Sequence, residues 1–137
     1  MKYLKYSSFY TILFIFLALT TLTNCKEEVD LQGFDIKKWR EDYKGCKNNR
    51  LELLAEFEQK VKPKLKGLSE KEVYKLLGKA DMNELSKRNQ KFYYYFIESG
   101  KQCANDTDSS TNAKPARRMQ IRFDAINNVN EVVIVYN

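Results

Sequence analysis

The sequence predicts an α+β domain, with helices from the first half of the chain packed on one face of a three-stranded antiparallel sheet from the second half. Apolar residues recur at helical spacing from Ile36 to Leu77, and a capping box marks the start of the last helix. From Lys91 onward the spacing becomes that of strands. The chain has 137 residues, which suits one domain, and we place that domain at residues 34–137.

Residues 1–24 have the pattern of an export signal. Lys2 and Lys5 precede a mostly apolar run, Phe9 to Leu22, shorter than the roughly 20 residues of a transmembrane helix. The run ends at Leu22-Thr23-Asn24-Cys25, which resembles the lipobox of bacterial lipoproteins, where the cysteine is lipidated and the signal is cut before it. We predict a lipoprotein signal peptide at 1–24, acylation of Cys25 by chains such as palmitate, and a lipid-attached tether at 25–33. The other interpretations are an ordinary signal peptide or an uncleaved anchor.

The charge balance limits the classes of partner. The chain has a net charge of +6 and no histidine, and removal of residues 1–24 would leave +4. A basic balance suits nucleic acid or an anionic surface, but the lysines are dispersed and the chain carries an export signal. We therefore expect the membrane, reached through lipidated Cys25, and an envelope protein as partners, and no nucleic acid. Without histidine the commonest metal ligand is missing, so we predict no metal and no cofactor.

Besides Cys25, the chain has two cysteines, Cys46 and Cys103. Outside the cytoplasm such a pair persists as a disulfide, and a bridge over this long loop contributes roughly 4 kcal/mol in the chain-entropy model. Two thiolates without histidine do not complete a tetrahedral metal site, and their spacing does not match Cys-x-x-Cys. We predict a structural disulfide between Cys46 and Cys103.

The first helix should begin after Asp35, which is the expected N-cap. Ile36, Trp39, Tyr43 and Cys46 share one face of this helix, which should end or bend near Cys46. Trp39 could serve as a platform for a ligand, but its helical spacing with Ile36 and Tyr43 favours a core position.

A second helix is expected from Asn49 to Lys62, ending before Pro63. The lysines of residues 60–66 could contact anionic headgroups, although a solvated loop is the favoured interpretation. The apolar stripe of this helix is formed by Leu51, Leu54, Phe57, Val61 and Leu65.

A third helix is predicted most clearly, within the stretch from Gly67 to Asp81. Ser69 and Glu72 form a capping box, and Gly78 supplies the left-handed residue that ends the helix. A helix this short is marginal alone, so it must pack on a larger element. Its apolar face is formed by Val73, Leu76 and Leu77.

Three strands should follow. Residues 91–98 are aromatic throughout, Met119, Ile121 and Phe123 alternate with polar residues, and residues 131–136 are rich in valine. Residues 82–90 are polar and mixed, and we expect a connection there. Residues 104–116 are small and polar, which predicts a long mobile loop.

The central motif resembles a known family. Gly67-Leu68-Ser69-Glu70-Lys71-Glu72-Val73, followed by Leu76-Leu77-Gly78-Lys79-Ala80-Asp81, is similar to the G-x-S-x-x-E-V-x-x-L-L-G-x-P-D signature of the SmpA/OmlA (BamE-like) outer-membrane lipoproteins. The aromatic strand and the Met119-Gln120-Ile121-Arg122-Phe123-Asp124 strand are similar to the strands that follow in the family. The resemblance implies a BamE-like fold, an outer-membrane anchor facing the periplasm, and a non-enzymatic accessory role in envelope or outer-membrane assembly.

The aromatic strand carries more apolar side chains than one sheet face needs. Phe92, Tyr94 and Phe96 lie on one side, Tyr93, Tyr95 and Ile97 on the other, and one set must be core. Tyrosine together with arginine is typical of binding hot spots. We predict a partner surface formed by Tyr93, Tyr95, Arg118 and Arg122. The alternative is that the tether or a loop covers the second face.

No catalytic constellation accompanies this surface, so we expect no enzyme and assign no catalytic residue. The acids near predicted strand or helix ends are not paired by any motif; they are Asp81, Glu84, Glu98 and Asp124. The sequence therefore favours a lipid-anchored interaction module of the bacterial cell envelope. An inhibitor-like or a ligand- or lipid-binding lipoprotein is the alternative, and a hydrolase is least favoured.

Overall fold

The structure is a computed structural model that describes residues 29–86, 90–104 and 115–136. The expected signal peptide at 1–24 and the lipidation residue Cys25 lie outside the described residues. Of the tether at 25–33, residues 29–33 are described, and of the loop at 104–116, residues 104, 115 and 116.

Helices occupy the first half of the described chain. They are α1 (Ile36–Arg40), α2 (Asn49–Glu52), α3 (Leu54–Lys60), α4 (Lys62–Leu65) and α5 (Glu70–Leu77), and a 3₁₀ turn at Tyr43–Gly45 separates α1 from α2. The carboxylate of Asp35 accepts a hydrogen bond from Lys38 N at 2.9 Å, so the expected N-cap of α1 is confirmed.

The single helix expected at 49–62 is three short helices. The helical run is interrupted at Leu53 and again at Val61, and Pro63 lies in the first turn of α4. Proline is tolerated there because its missing N–H would have no helical partner. Pro63 therefore follows a break, as predicted, but one more helical turn comes after it. The apolar stripe persists across the breaks, since Phe57, Val61 and Leu65 are fully buried.

The capping box at the start of α5 is confirmed. Ser69 N donates to Glu72 Oε2 at 2.8 Å, and Glu72 N donates to Ser69 Oγ at 3.4 Å. Gly78 follows the helix with φ of 82°, in the left-handed region that glycine enters without steric cost. Val73 and Leu77 point into the core.

Four antiparallel strands form one sheet in the order β1 (Met82–Leu85), β2 (Lys91–Phe96), β3 (Arg118–Phe123) and β4 (Val129–Val135). The α+β class is thus confirmed for the described residues, but the expectation of three strands is wrong. The segment at 82–85, expected to be part of a connection, pairs with β2 as β1. All four residues of this edge strand are exposed, so it has no buried face whose periodicity could reveal it.

The helices cover one face of the sheet, here called the inner face. The rings of Trp39 and Phe57 stack with their centroids 4.3 Å apart, so Trp39 is a core residue, as its helical spacing favoured. The sheet supplies fully buried side chains to the same cluster; they are Tyr95, Ile97, Met119, Ile121 and Phe123.

Candidate functional site

Strand pairing decides which side chains share a face of the sheet. Tyr95 is opposite Met119, and Tyr94 is opposite Gln120. Directly opposite residues point to the same face, and Met119 is fully buried, so Tyr95 points toward the helices. Tyr93, two residues away, points the same way. The other aromatic side chains of β2 lie on the outer face, and these are Phe92, Tyr94 and Phe96.

Tyr95 is therefore not part of a partner surface, and that prediction is wrong. Its side chain is fully buried, and its hydroxyl donates to Gly78 O at 2.9 Å. Burial raises the pKa of this phenol well above its ordinary value. Tyr95 connects β2 to the end of α5.

Tyr93 also lies on the inner face, away from Arg118 and Arg122, so its expected place beside them is wrong. Its hydroxyl donates to Glu70 Oε1, and Lys91 Nζ lies 2.6 Å from the other oxygen of that carboxylate. Burial and the bond to Glu70 raise the pKa of Tyr93 to about 12, while the bonds from Lys91 and Tyr93 lower the pKa of Glu70. Tyr93 connects β2 to the first turn of α5.

The sequence misassigned these tyrosines because both sides of β2 are aromatic. A strand that is apolar on both sides does not indicate which side is buried, and a shift of one residue exchanges the faces. The signal that decides it lies in β3, whose Met119, Ile121 and Phe123 alternate cleanly with polar residues. Only the pairing of β2 with β3 shows which tyrosines of β2 lie on the buried face of the sheet.

Both predicted arginines lie on the outer face, but next to a different set of aromatic side chains. The guanidinium carbon of Arg118 lies 4.3 Å from the ring centroid of Tyr94, a cation–π contact. We define the outer sheet face as Phe92, Tyr94, Phe96, Arg118, Gln120, Arg122, Val133 and Val135.

Tyr94 and Phe96 are only 5% and 6% exposed although they lie on the face of the sheet that points away from the helices. Arg118 covers the ring of Tyr94, and the hydroxyl of Tyr94 donates to Glu84 Oε2 at 3.0 Å. Burial and the bond to Glu84 raise the pKa of Tyr94. The outer sheet face still has half-exposed groups, and these are Phe92, Arg118, Gln120, Arg122, Val133 and Val135.

The two arginines differ in their partners. Arg122 Nε lies 3.1 Å from Glu131 Oε2, an ion pair whose atoms are not aligned for a hydrogen bond. Arg118 Nε is buried without a hydrogen-bond partner, and no carboxylate among the described residues forms an ion pair with Arg118. Arg118 is thus a positive charge without a matching acid within the described domain.

Sequence reasoning missed a buried ion pair where the helices meet the sheet. The side chains of Arg50 and Asp81 are 2% and 0% exposed, and Arg50 Nη1 lies 2.5 Å from Asp81 Oδ2. Asp81 also accepts from Phe96 N at 2.8 Å and from Lys44 N at 3.1 Å. Arg50 donates to the carbonyls of Trp39 and Phe96. These bonds fix α2 and the 3₁₀ turn against β2.

Asp42 extends this network from a second buried carboxylate. Its oxygens accept from Lys47 N at 2.7 Å and from Arg50 N at 2.9 Å. Every described partner of these two carboxylates is a backbone N–H or Arg50, which is the pattern of a structural network. Spacing along the chain does not signal it, because α3, α4 and α5 lie between Arg50 and Asp81.

The predicted cysteine pair lies beside this network. The sulfur atoms of Cys46 and Cys103 are 1.95 Å apart, and their Cα atoms are 5.6 Å apart, within the range for a disulfide. The adjoining Gly45 has φ of 70°, and a Cβ there would lie 2.9 Å from Phe96 O. A glycine is therefore needed where this turn meets the end of β2.

The remaining acids named from the sequence also have local partners. Glu98 pairs with Arg117 at 2.7 Å, and the hydrogen bond from Arg117 lowers the pKa of Glu98. Asp124 accepts from the backbone of Ile126 and Asn128 and so closes the β3–β4 turn. In the part of the chain that the structure describes, no group of three or more cysteine or acidic side chains could hold a metal ion.

The described residues form two clefts at the surface that could hold a small ligand. One of about 460 Å³ lies between α5 and the β3–β4 turn, and one of about 340 Å³ lies between α4 and the first half of β4. Between the helices and the sheet, the space is filled by fully buried side chains such as Trp39, Phe57 and Tyr95. Neither cleft is the deep pocket between these layers that a lipid-binding module would use.

Comparison with protein-family models, with curated proteins and with solved structures finds no match to this chain. Within residues 29–86, 90–104 and 115–136, no helix has the length and apolar character needed to cross a membrane. The geometry of the outer sheet face is thus the main indication of function.

Proposed function

We propose that this chain is a lipid-anchored, non-enzymatic protein of the bacterial cell envelope that binds a protein partner through its outer sheet face. The apolar leader ending at Cys25 supports the anchor. The resemblance to the SmpA/OmlA (BamE-like) lipoproteins supports an accessory role in envelope or outer-membrane assembly, at the outer membrane facing the periplasm. The α+β architecture is compatible with that family, and the fourth strand extends the sheet expected from it.

The observation that carries the proposal is the composition of the outer sheet face. Arginine, aromatic and branched apolar side chains are adjacent there, while the described helices pack on the inner face. This combination is typical of the residues that contribute most to protein–protein binding. Arg118 is also held against Tyr94 before any partner arrives, which lowers the conformational entropy lost on binding.

The anchor can be tested by mass spectrometry of the membrane fraction. We expect the mature chain to begin at Cys25 with added acyl mass, and we expect Cys25→Ser to leave the protein unacylated and released from the membrane. Two acyl chains hold a protein on a bilayer almost permanently, since each buried CH₂ contributes about 0.8 kcal/mol. A membrane-bound wild type with an unmodified Cys25 would contradict the lipoprotein assignment.

The partner surface can be tested by photo-crosslinking in intact envelopes. A crosslinker placed at Gln120, which is half-exposed on this face, should capture a defined protein, and Phe92→Ala or Arg122→Ala should weaken that capture. The matched control is a crosslinker at Tyr74, which is 58% exposed on α5. Equal capture from Tyr74, or capture that neither substitution changes, would place the interaction elsewhere. If the tether or a loop covers the outer sheet face, the crosslinks will form within the chain itself.

A further inference from the structure

We propose that the free edge of β4 pairs with the same strand of a second copy of this chain, so that two four-stranded sheets join into one continuous sheet. This interface uses the edge of the sheet and does not depend on the lipid anchor or on the envelope partner. A symmetric pairing of identical edges is closed and stops at a dimer.

Among the described residues, the edge of β4 is covered only at its beginning. Val129 N donates to Leu68 O at 2.8 Å, and Gly67 N donates to Val129 O at 2.9 Å. Beyond Val129, β4 is the last strand of the described sheet, and residues 131–135 contain no proline and one charge, Glu131. A long apolar edge strand without such protection is a site for pairing with another chain.

The hydrogen-bonding pattern identifies the backbone groups that are free. Ile97 N donates to Arg117 O, so the odd-numbered residues of β3 bond to β2 and the even-numbered ones bond to β4. Gln120 is opposite Val133, so the backbone of Val133 bonds to β3. The residues whose N–H and C=O groups point away from the sheet are its neighbours, Val132 and Ile134.

These free groups select one register for an antiparallel pair. If the two-fold axis passes beside Val133, Val132 of one copy and Ile134 of the other exchange hydrogen bonds. The two Val133 side chains then meet on the outer face, where non-hydrogen-bonded pairs bring Cα atoms to about 4.5 Å. Both inner faces stay on the same side of the joined sheet, so neither helical layer has to move.

The same register supplies the acid that Arg118 lacks. Arg118 is opposite Val135 within one copy, and Val135 would be opposite Glu131 of the second copy. Arg118 and that glutamate are then two strand spacings apart, about 10 Å between Cα atoms, which two long side chains can bridge. Symmetry creates this contact twice, and each Glu131 would lie between Arg118 of the other copy and its own Arg122.

In the proposed dimer, an exposed tyrosine of one copy would also lie against a cleft of the other copy. Tyr136 is 75% exposed, although Arg117 lies beside it, and it follows β4 with the inner-face spacing of Val132 and Ile134. In the proposed pair it would lie near Asn130 of the second copy, beside the cleft of about 340 Å³. Pro63, Val129 and Val132 form the apolar part of that cleft, and Lys62 and Lys66 also line it, so the ring would meet apolar and cationic side chains.

Engineered cysteines test the register in the purified full chain in detergent. We expect Val133→Cys to form a covalent dimer on mild oxidation, because the two-fold axis places the two residues opposite each other. The matched control, Gln120→Cys, lies on the same face one strand further in and should stay monomeric. Glu131→Cys combined with Val135→Cys should crosslink, whereas each of these substitutions alone should not. Equal crosslinking from Gln120→Cys, or none from Val133→Cys, would overturn the proposal.

Sedimentation equilibrium tests the association without a covalent trap. Wild type should dimerise in a concentration-dependent way. Val133→Lys should raise the dissociation constant of the dimer about tenfold or more, because two lysines meet at the two-fold axis. Gln120→Lys should change it little, since those lysines would be about 14 Å apart, beyond a screening length of about 8 Å. A monomer up to about 100 μM, or growth into assemblies larger than a dimer, would contradict the proposed pairing.

Discussion

Arg50 and Asp81 show how one buried charge pair determines a junction between layers. Each side chain is almost completely removed from water, and their contacts join α2, the 3₁₀ turn and β2. Removing two charges from water costs several kcal/mol for each ion, and mutual attraction and hydrogen bonds offset that cost only while both partners are present. The pair therefore specifies the packing of the helices on the sheet more than it stabilises it.

The loss of one partner should therefore be severe. We expect Asp81→Asn to lower the free energy of unfolding by about 3 kcal/mol or more, because Arg50 is left buried without its counter-charge. The double variant Arg50→Met with Asp81→Asn should lose less than the sum of the losses of Arg50→Met and Asp81→Asn measured separately. Urea denaturation of the four proteins measures both effects. Additive losses would show that the two charges do not act as a pair.

The carboxylate of Glu70 makes a pH-dependent contribution to the stability of the fold. Its pKa is lowered by the bonds from Lys91 and Tyr93. A carboxyl whose pKa is lower in the folded state stabilises the fold above its unfolded pKa, and that contribution is lost as pH falls through the folded pKa. We expect Glu70→Gln to lower the free energy of unfolding by about 1 kcal/mol at pH 7. This difference between variant and wild type should shrink at pH values below 4.5, the ordinary pKa of a glutamate.

Chemical denaturation across that pH range provides the measurement. Glu58→Gln is the matched control, because the pair between Glu58 and Lys62 is exposed and spans 3.5 Å, so its loss should cost little at any pH. A Glu70→Gln difference that stays constant down to pH 3 would mean that the carboxylate does not depend on Lys91 and Tyr93 in this way.

Among the elements, α5 is the one whose sequence and structure agree most fully. Its cap, its apolar face and its glycine terminus are local features, and each can be recognised within the stretch from Gly67 to Asp81. Strand β1 is the opposite case. It forms because its backbone pairs with the edge of β2, and its own four residues show no alternation of buried and exposed side chains.

Removal of the cap should destabilise the whole domain, because α5 packs on the core through Val73 and Leu77. We expect Ser69→Ala to lower the free energy of unfolding by about 1 kcal/mol. The control is Ser99→Ala, an exposed serine whose side chain forms no hydrogen bond with the described residues. Thermal unfolding of both variants measures the effect. Equal behaviour of the two would indicate that the capping box contributes nothing net to stability.

In the whole molecule, the disulfide links the two halves of the domain. Cys46 follows the 3₁₀ turn between the helices, Cys103 follows β2, and the two cysteines are 57 positions apart in the chain. A cross-link across so long a loop stabilises the fold mainly by restricting the unfolded chain. It also joins the chain next to Gly45, where the turn contacts the backbone of β2.

Removing the bridge should lower stability without changing the fold. We expect Cys46→Ser combined with Cys103→Ser to lower the free energy of unfolding by about 2–4 kcal/mol, measured by urea denaturation. The reduced wild type should unfold at the same urea concentration as this double variant, because both lack the cross-link. A reduced wild type as stable as the oxidised protein would show that the bridge does not restrict the unfolded state.

The sequence alone determined the features that depend on neighbours along the chain. Helical and strand periods predicted the α+β class, and the caps at Asp35 and Ser69 were recognisable because a cap is a contact over three residues. The cysteine pair was identified by count, since the chain has only two cysteines besides Cys25. Lipidation at Cys25 and an envelope partner remain predictions.

Tertiary structure decided the features that depend on which strands meet. The register of β2 against β3 placed Tyr95 in the core and Tyr93 at its margin, and it moved the candidate surface to Phe92, Arg118 and Arg122. The fourth strand and the ion pair between Arg50 and Asp81 also arise from contacts between distant segments. A strand that is apolar on both sides has two nearly equivalent faces, and only the packing of the helices on the sheet distinguishes them.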